Sequence, residues 1–148
     1  MELHDRQRWM GVLARAGEPE LCGLYEALDA IPDYEMLRGP ETGLVMVRGR
    51  AGGSGDPFNM GEMTVTRCSV RLESGGVGHA YVQGRRPDHA RRAAVLDAML
   101  QNEQRGPTLM ERVITPLERE EARRREQRAR ESAATKVDFF TLVRGEDE

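Results

Sequence analysis

Short apolar runs separated by glycine-rich turns occupy the middle of the chain, and this pattern constrains the fold more than any other feature of the sequence. It predicts four β-strands, at 34–38, 44–48, 62–72 and 78–84. The connections between them are short, so the strands are expected to form an antiparallel meander. In the third strand the apolar positions change phase near Arg67, which predicts a β-bulge there.

Helical periodicity flanks this region on both sides. Trp9, Val12 and Leu13 fall on one face of a helix, and Pro19 can begin a second helix. Pro87 opens a later helix with an apolar face of its own. The class is therefore α+β, a four-stranded antiparallel sheet flanked by N-terminal and C-terminal helices. We expect a single domain over 1–148, divided into a helical hairpin at 1–32, the sheet at 34–84, helices at 87–134 and an extended apolar docking tail at 136–148.

The C-terminal end combines a very polar segment with this apolar tail. Eleven of the fourteen residues at 118–131 are charged, so a helix there has no apolar stripe to bury. Two of the three phenylalanines, Phe139 and Phe140, follow it, whereas chain termini are normally hydrophilic. The tail is predicted to dock either on its own domain or on another chain. The predicted partner interface consists of Val137, Asp138, Phe139, Phe140, Val143 and Arg144.

Charge and cysteine usage exclude several classes of function. The net charge is −3 despite 21 arginines and one lysine, and glutamates of the 118–131 segment interleave with its Arg123-Arg124-Arg125 run, which argues against nucleic-acid binding. The two cysteines, Cys22 and Cys68, lack metal-binding spacing and are expected to be free thiols, so neither a metal site nor a disulfide is predicted. No apolar run is long enough to cross a membrane, and the N-terminus lacks the apolar core of a signal peptide. A cytoplasmic location is therefore expected.

Two segments are candidates for contacting an anion, and each has a plainer explanation. A glycine-rich loop offers backbone N–H groups to a phosphate, but it lacks the lysine and helix of a P-loop and also suits a flexible hairpin connection. A strand-to-helix turn brings histidine and arginine to a helix N-terminus, where anions bind, or it simply holds a half-buried histidine. No catalytic set of residues can be assembled from the sequence. The candidate phosphate- or substrate-binding residues are Arg67, His79, Arg85, His89, Gly52 and Gly53.

Several blocks of the sequence resemble the PhnG family, whose members are small subunits of the bacterial carbon–phosphorus (C–P) lyase system. Trp9 with Met10, and the helical segment after His89, resemble the family as well. The chain departs from the pattern at Arg86-Pro87, where an acidic residue is expected. The matching blocks keep the family's order and span nearly the whole chain, at 43–55, 58–62, 64–68, 78–85 and 133–141.

The resemblance implies a place in a protein complex. PhnG-like chains associate with the H, I and J subunits and with the L protein, in a system that displaces adenine from ATP by methylphosphonate. The product is α-D-ribose 1-methylphosphonate 5-triphosphate. The resemblance assigns the nucleosidase centre to the I subunit, the iron–sulfur cluster to the J subunit and S-adenosylmethionine likewise to another subunit, so no cofactor is expected in this chain. Two alternatives stay open: a purely structural subunit, and an anion-binding module at a subunit boundary.

Overall fold

One antiparallel sheet and the helices packed on it form the fold. The structure is a computed structural model that describes the backbone of residues 3–144 and the side chains of residues 3–135. The chain divides into two units, 1–117 and 118–148, and the sheet belongs to the first. The sheet order is β1-β2-β3, with β1 at Tyr34–Arg50, β2 at Pro57–Leu72 and β3 at Val77–Gln83. The helices are α1 (Leu3–Arg15), α2 (Glu18–Glu26), α3 (Pro87–Leu100), α4 (Gly106–Leu109), a π-helical turn (Met110–Ile114) and α5 (Thr115–Arg144).

The sheet has three strands, so the prediction of a four-stranded meander is wrong. The segments predicted as the first and second strands both belong to β1. The expected turn at Gly39-Pro40 lies inside β1 instead, because between Arg38 and Glu41 this strand carries one residue more than the facing part of β2. β1 is an edge strand, where a proline at an irregularity removes no hydrogen bond that a neighbouring strand needs.

The irregularities of the β1–β2 hairpin differ from the predicted bulge near Arg67. The register of β2 with β3 is continuous from Val65 to Arg71, so β2 has no extra residue there. The extra residues lie on the facing strand β1, one between Met36 and Arg38 and one between Arg38 and Glu41. Strand β2 has an extra residue of its own, Met60. A bulge interrupts the alternation of side chains along a strand. Each residue of β2 before Met60 therefore lies on the face opposite to the one that uninterrupted alternation would give it.

Helix α3 is the centre of the core. Ten of its fourteen residues are buried. One side packs on the inner face of the sheet, which Cys68, Val70 and Val82 line, and the other side meets α1 through the predicted apolar face that contains Leu13. A Cβ atom at Gly78 of β3 would overlap the α3 backbone, so only glycine permits this close approach of strand and helix.

The backbone of α5 is helical as far as Arg144, so the prediction of an extended tail at 136–148 is wrong for the part described. No glycine or proline occurs between Pro116 and Gly145, and nothing in the intervening sequence ends a helix. The side chains of the predicted interface lie outside the described residues, so its docking role stays a prediction. These residues are Val137, Asp138, Phe139, Phe140, Val143 and Arg144.

Candidate functional site

A buried carboxylate joins three elements of the first unit. Asp97 of α3 is 0% exposed. It accepts hydrogen bonds from Nε and Nη2 of Arg6 (3.2 and 2.8 Å), from Nε1 of Trp9 (2.8 Å) and from the backbone N–H of His79 (2.9 Å). The hydrogen bond to Asp97 raises the pKa of the Arg6 guanidinium. Because both oxygens are fully used, Asp97 holds α1 and β3 against α3 and is a structural contact, not a catalytic base.

Sequence reasoning missed Asp97, although the sequence carries a signal for it. It is the only charged residue at 93–100, in a helical segment whose neighbours are all apolar. A charged residue that is surrounded by apolar positions is almost never fully buried unless it is paired. The partners themselves lie 18 to 91 residues away along the chain, which no local pattern can reveal.

A second buried contact lies at the start of α3. His89 is fully buried. Its Nε2 donates to the carbonyl oxygen of Leu13 (2.8 Å), and its Nδ1 accepts from Nη2 of Arg86 (3.2 Å), which fixes the tautomer. Burial lowers the pKa of His89, so the ring is neutral at pH 7. The ring therefore fastens α3 to the end of α1.

Arg67 and His79 lie on the outer face of the sheet, on the side away from α3. Arg67 Nη2 lies 3.2 Å from the carboxylate of Glu41, and His79 Nδ1 lies 2.8 Å from Ser69 Oγ. In the register of β2 with β3, Arg67 faces Tyr81, so His79 is its diagonal neighbour. Exposed pairs of this kind contribute little to stability, and they exchange readily for another partner.

The predicted anion corner is divided between the two faces of the sheet. His89 is buried on the helix side, whereas His79 points outward. Arg85 is exposed at the turn between β3 and α3. Of these four candidate side chains, the structure therefore leaves only Arg67 and His79 as neighbours, on a diagonal across β2 and β3.

The glycine-rich candidate site is remote from this pair. Gly52 and Gly53 lie in a 3₁₀ turn at the tip of the β1–β2 hairpin, with φ angles of 60° and 78°. The strands meet there at the pair Arg50–Pro57, nine residues along β1 from Glu41. At the rise of a β-strand this is roughly 30 Å. One phosphate cannot contact both the tip and Arg67.

An open cleft of about 610 Å³ lies beside the β2–β3 turn. The side chain of Asn102 accepts hydrogen bonds from the backbone N–H groups of Gln104 and Arg105 and so shapes one wall. Two acidic side chains and one basic side chain line the cleft, so its electrostatics do not favour an anion. The lining includes Asp33, Glu73, Arg105, Leu72 and Met99.

The described part of the chain offers no other chemical centre. Among the side chains at 3–135, no three His, Cys, Asp or Glu residues are arranged to hold a metal ion. Cys22 and Cys68 are free thiols, and burial raises the pKa of Cys68. Of the helices described between residues 3 and 144, none has the length and apolar character that a membrane crossing requires.

Two comparisons with known proteins identify the family of this chain. The family model described as "Phosphonate metabolism protein PhnG" matches residues 4–145. A relative from Rhizobium meliloti (strain 1021) is 49% identical over 146 residues, which cover 97% of this chain and 91% of the relative. That relative is named "Alpha-D-ribose 1-methylphosphonate 5-triphosphate synthase subunit PhnG". This chain belongs to the PhnG family.

Proposed function

We propose that this chain is the PhnG subunit of an α-D-ribose 1-methylphosphonate 5-triphosphate synthase and acts in phosphonate breakdown by the C–P lyase system. The observation that carries the proposal is its 49% identity, over 97% of its length, to a relative named as that subunit. In the proposed reaction, methylphosphonate displaces adenine from ATP, and the H, I and J subunits and the L protein are the partners.

Within this complex the chain supplies binding surface, and the reacting groups belong to its partners. The support is local geometry: Asp97 and His89, the two buried polar groups that a catalytic role would most require, are both fully used in holding α1 to α3. We assign the nucleosidase centre to the I subunit, and the iron–sulfur cluster and S-adenosylmethionine to other subunits. The cytoplasmic location remains a prediction.

The proposal is tested by omission. A bacterium that lacks its own phnG gene should grow with methylphosphonate as the phosphorus source only when this chain is supplied together with its cognate partners, and it should grow on inorganic phosphate in either case. With purified proteins, adenine release from ATP should require both the partners and this chain. Equal adenine release from the partners alone would contradict the proposal. Release by this chain alone would contradict the assignment of catalysis to the partners.

A second role, contact with the phosphate or phosphonate of the substrate at a subunit boundary, is supported by the neighbouring positions of Arg67 and His79 on the outer face. Changing both residues to Gln should raise the KM of the assembled complex for ATP or methylphosphonate severalfold and leave assembly intact. A matched change of Arg71 and Glu35, another exposed pair on the same face, serves as the control. If KM is the same in both variants, the contact is absent.

The C-terminal interface remains a separate proposal. Changing Phe139 and Phe140 together to Ser should lower recovery of the chain with its partners, because burial of each ring contributes about 1.5–3 kcal/mol. Unchanged recovery of the double variant would remove these residues from the interface.

A further inference from the structure

The β1–β2 hairpin extends beyond the rest of the sheet. β3 pairs with β2 only from Val65 to Arg71, so Leu44–Arg50 and Pro57–Thr64 form a ribbon of two strands with a turn between them. We call residues 44–64 the hairpin arm. None of its 21 residues is buried. An isolated ribbon of two strands is marginally stable in water at best, so the arm needs further contacts to be held in one conformation.

Both faces of the arm carry exposed apolar side chains. Leu44 and Met46 lie on the face that continues the inner side of the sheet, and they are 64% and 61% exposed. On the opposite face, Phe58 is paired with Gly49 and is 49% exposed, and Met60 is 64% exposed. The Met60 side chain lies directly over Gly49, where a Cβ atom would overlap its sulfur. Large apolar side chains that are exposed together mark an interaction surface.

We propose that the hairpin arm inserts into a groove of another subunit of the synthase, with apolar walls on both sides of the ribbon. This inference rests on the proposed function, which supplies the partner subunits. The placement of apolar side chains on both faces of the arm favours a groove in a partner subunit over two alternatives. A second copy of the chain pairing along the free edge of β1 would leave both faces in water, and a partner lying flat on the arm would cover one face only.

The hairpin arm carries four charged residues: Arg48 and Arg50 on β1, Asp56 beside the tip, and Glu62, which pairs with Met46. Arg48 and Arg50 follow Leu44 and Met46 on the same face, toward the tip. No carboxylate in the described part of the chain lies within ion-pair distance of either guanidinium, and Arg50 reaches only the carbonyl oxygen of Gly55 (3.4 Å). A guanidinium at a protein interface is best matched by a carboxylate. The groove therefore has apolar walls and a carboxylate placed to meet Arg48 and Arg50.

Co-purification tests the insertion. The chain is co-expressed with the H, I and J subunits, one of which carries an affinity tag. Two arm variants, Leu44→Ser with Met46→Ser and Phe58→Ser with Met60→Ser, should each reduce recovery of the chain more than tenfold. A control variant, Leu3→Ser with Leu37→Ser, removes two exposed apolar side chains outside the arm and should stay within twofold of wild type. The fluorescence of the single tryptophan, Trp9, verifies that all variants keep the fold.

Each outcome decides a different point. If the wild-type chain itself is not recovered, the proposed function falls and the inference falls with it. If the wild type and both arm variants are recovered equally, only the inference is overturned. The wild-type chain could also be dimeric on its own, with dimerisation lost in the arm variants. This result would show that the arm binds a second copy of the chain, and it would overturn the inference as well.

Photo-crosslinking distinguishes a groove from a flat surface. A benzophenone amino acid at Met46 and one at Met60 probe opposite faces of the arm. Insertion predicts that both positions crosslink to the same partner subunit. Crosslinks from one position only would show that the partner covers a single face, and this would overturn the groove.

Discussion

Replacing the buried carboxylate of Asp97 by the isosteric amide of Asn should destabilise the first unit strongly. The carboxylate accepts two hydrogen bonds at each oxygen: Arg6 Nε and Trp9 Nε1 at Oδ1, and Arg6 Nη2 and the His79 N–H at Oδ2. In either orientation the amide NH₂ of Asn faces two of these four donors. Two hydrogen bonds are lost, and at least one buried N–H, that of Trp9 or His79, is left without an acceptor.

The magnitude follows from these contacts. An unsatisfied buried donor costs about 1–3 kcal/mol, and breaking a buried ion pair costs about 3–5 kcal/mol. The ion-pair figure must be reduced, because the Arg6 side chain is 26% exposed and can turn toward water. We expect Asp97→Asn to lower the free energy of unfolding by about 3 kcal/mol. For a chain of this size this corresponds to a fall in Tm of roughly 6–12 °C.

Urea unfolding followed by Trp9 fluorescence measures this change directly. Trp9 is the only tryptophan, it is buried, and its indole N–H is one of the four donors. Glu41→Gln is the matched control, because it weakens an exposed pair with Arg67 and should change stability by less than about 0.5 kcal/mol. If Asp97→Asn also stays within about 0.5 kcal/mol of wild type, the reasoning from buried donors is refuted.

Three further changes test other contacts. Because folding lowers the pKa of His89, the unfolded chain binds more protons than the folded chain as pH falls below 6.5. The wild type should therefore lose stability in this range, by at most about 1.4 kcal/mol per pH unit. Urea titrations at several pH values should show a shallower loss for His89→Gln. Gly78→Ala should cost about 1–3 kcal/mol by thermal unfolding, since its Cβ would overlap α3, whereas Gly39→Ala, with open space around it, should have little effect. Thr66→Val should cost about 1–3 kcal/mol in the same assay, because the carbonyl oxygen of Gly84 then loses a 2.6 Å hydrogen bond.

Helical periodicity predicted the core well, because an amphipathic pattern is a local property. The face of α1 that contains Trp9, Val12 and Leu13 is buried as expected, and so is the apolar side of α3. The strand count was wrong for a reason that is also physical. Gly39 and Pro40 favour a turn by themselves, but pairing of both flanking segments with the long β2 outweighs that preference, and the edge position of β1 tolerates the proline.

The candidate site was harder to predict, because it depends on which side of a sheet each residue occupies. His79 and His89 are close in sequence, yet one points to the outer face and the other into the helical layer. Nothing in the sequence singles out the exposed side chains of the hairpin arm, such as Phe58 and Met60. Their exposure follows only from the length of β3, which leaves this part of the hairpin without a third strand.

The contact between Arg6 and Asp97 has a consequence for how the chain reaches its final form during synthesis. The two residues are 91 positions apart. At a typical ribosomal rate, roughly 5–18 s pass between the emergence of the first and of the second. Throughout that interval the apolar face of α1 cannot be buried against α3, because α3 has not yet been synthesised. The first helix to leave the ribosome is therefore among the last to pack into the fold. A nascent chain that stalls before α3 exposes Trp9 to chaperones and proteases.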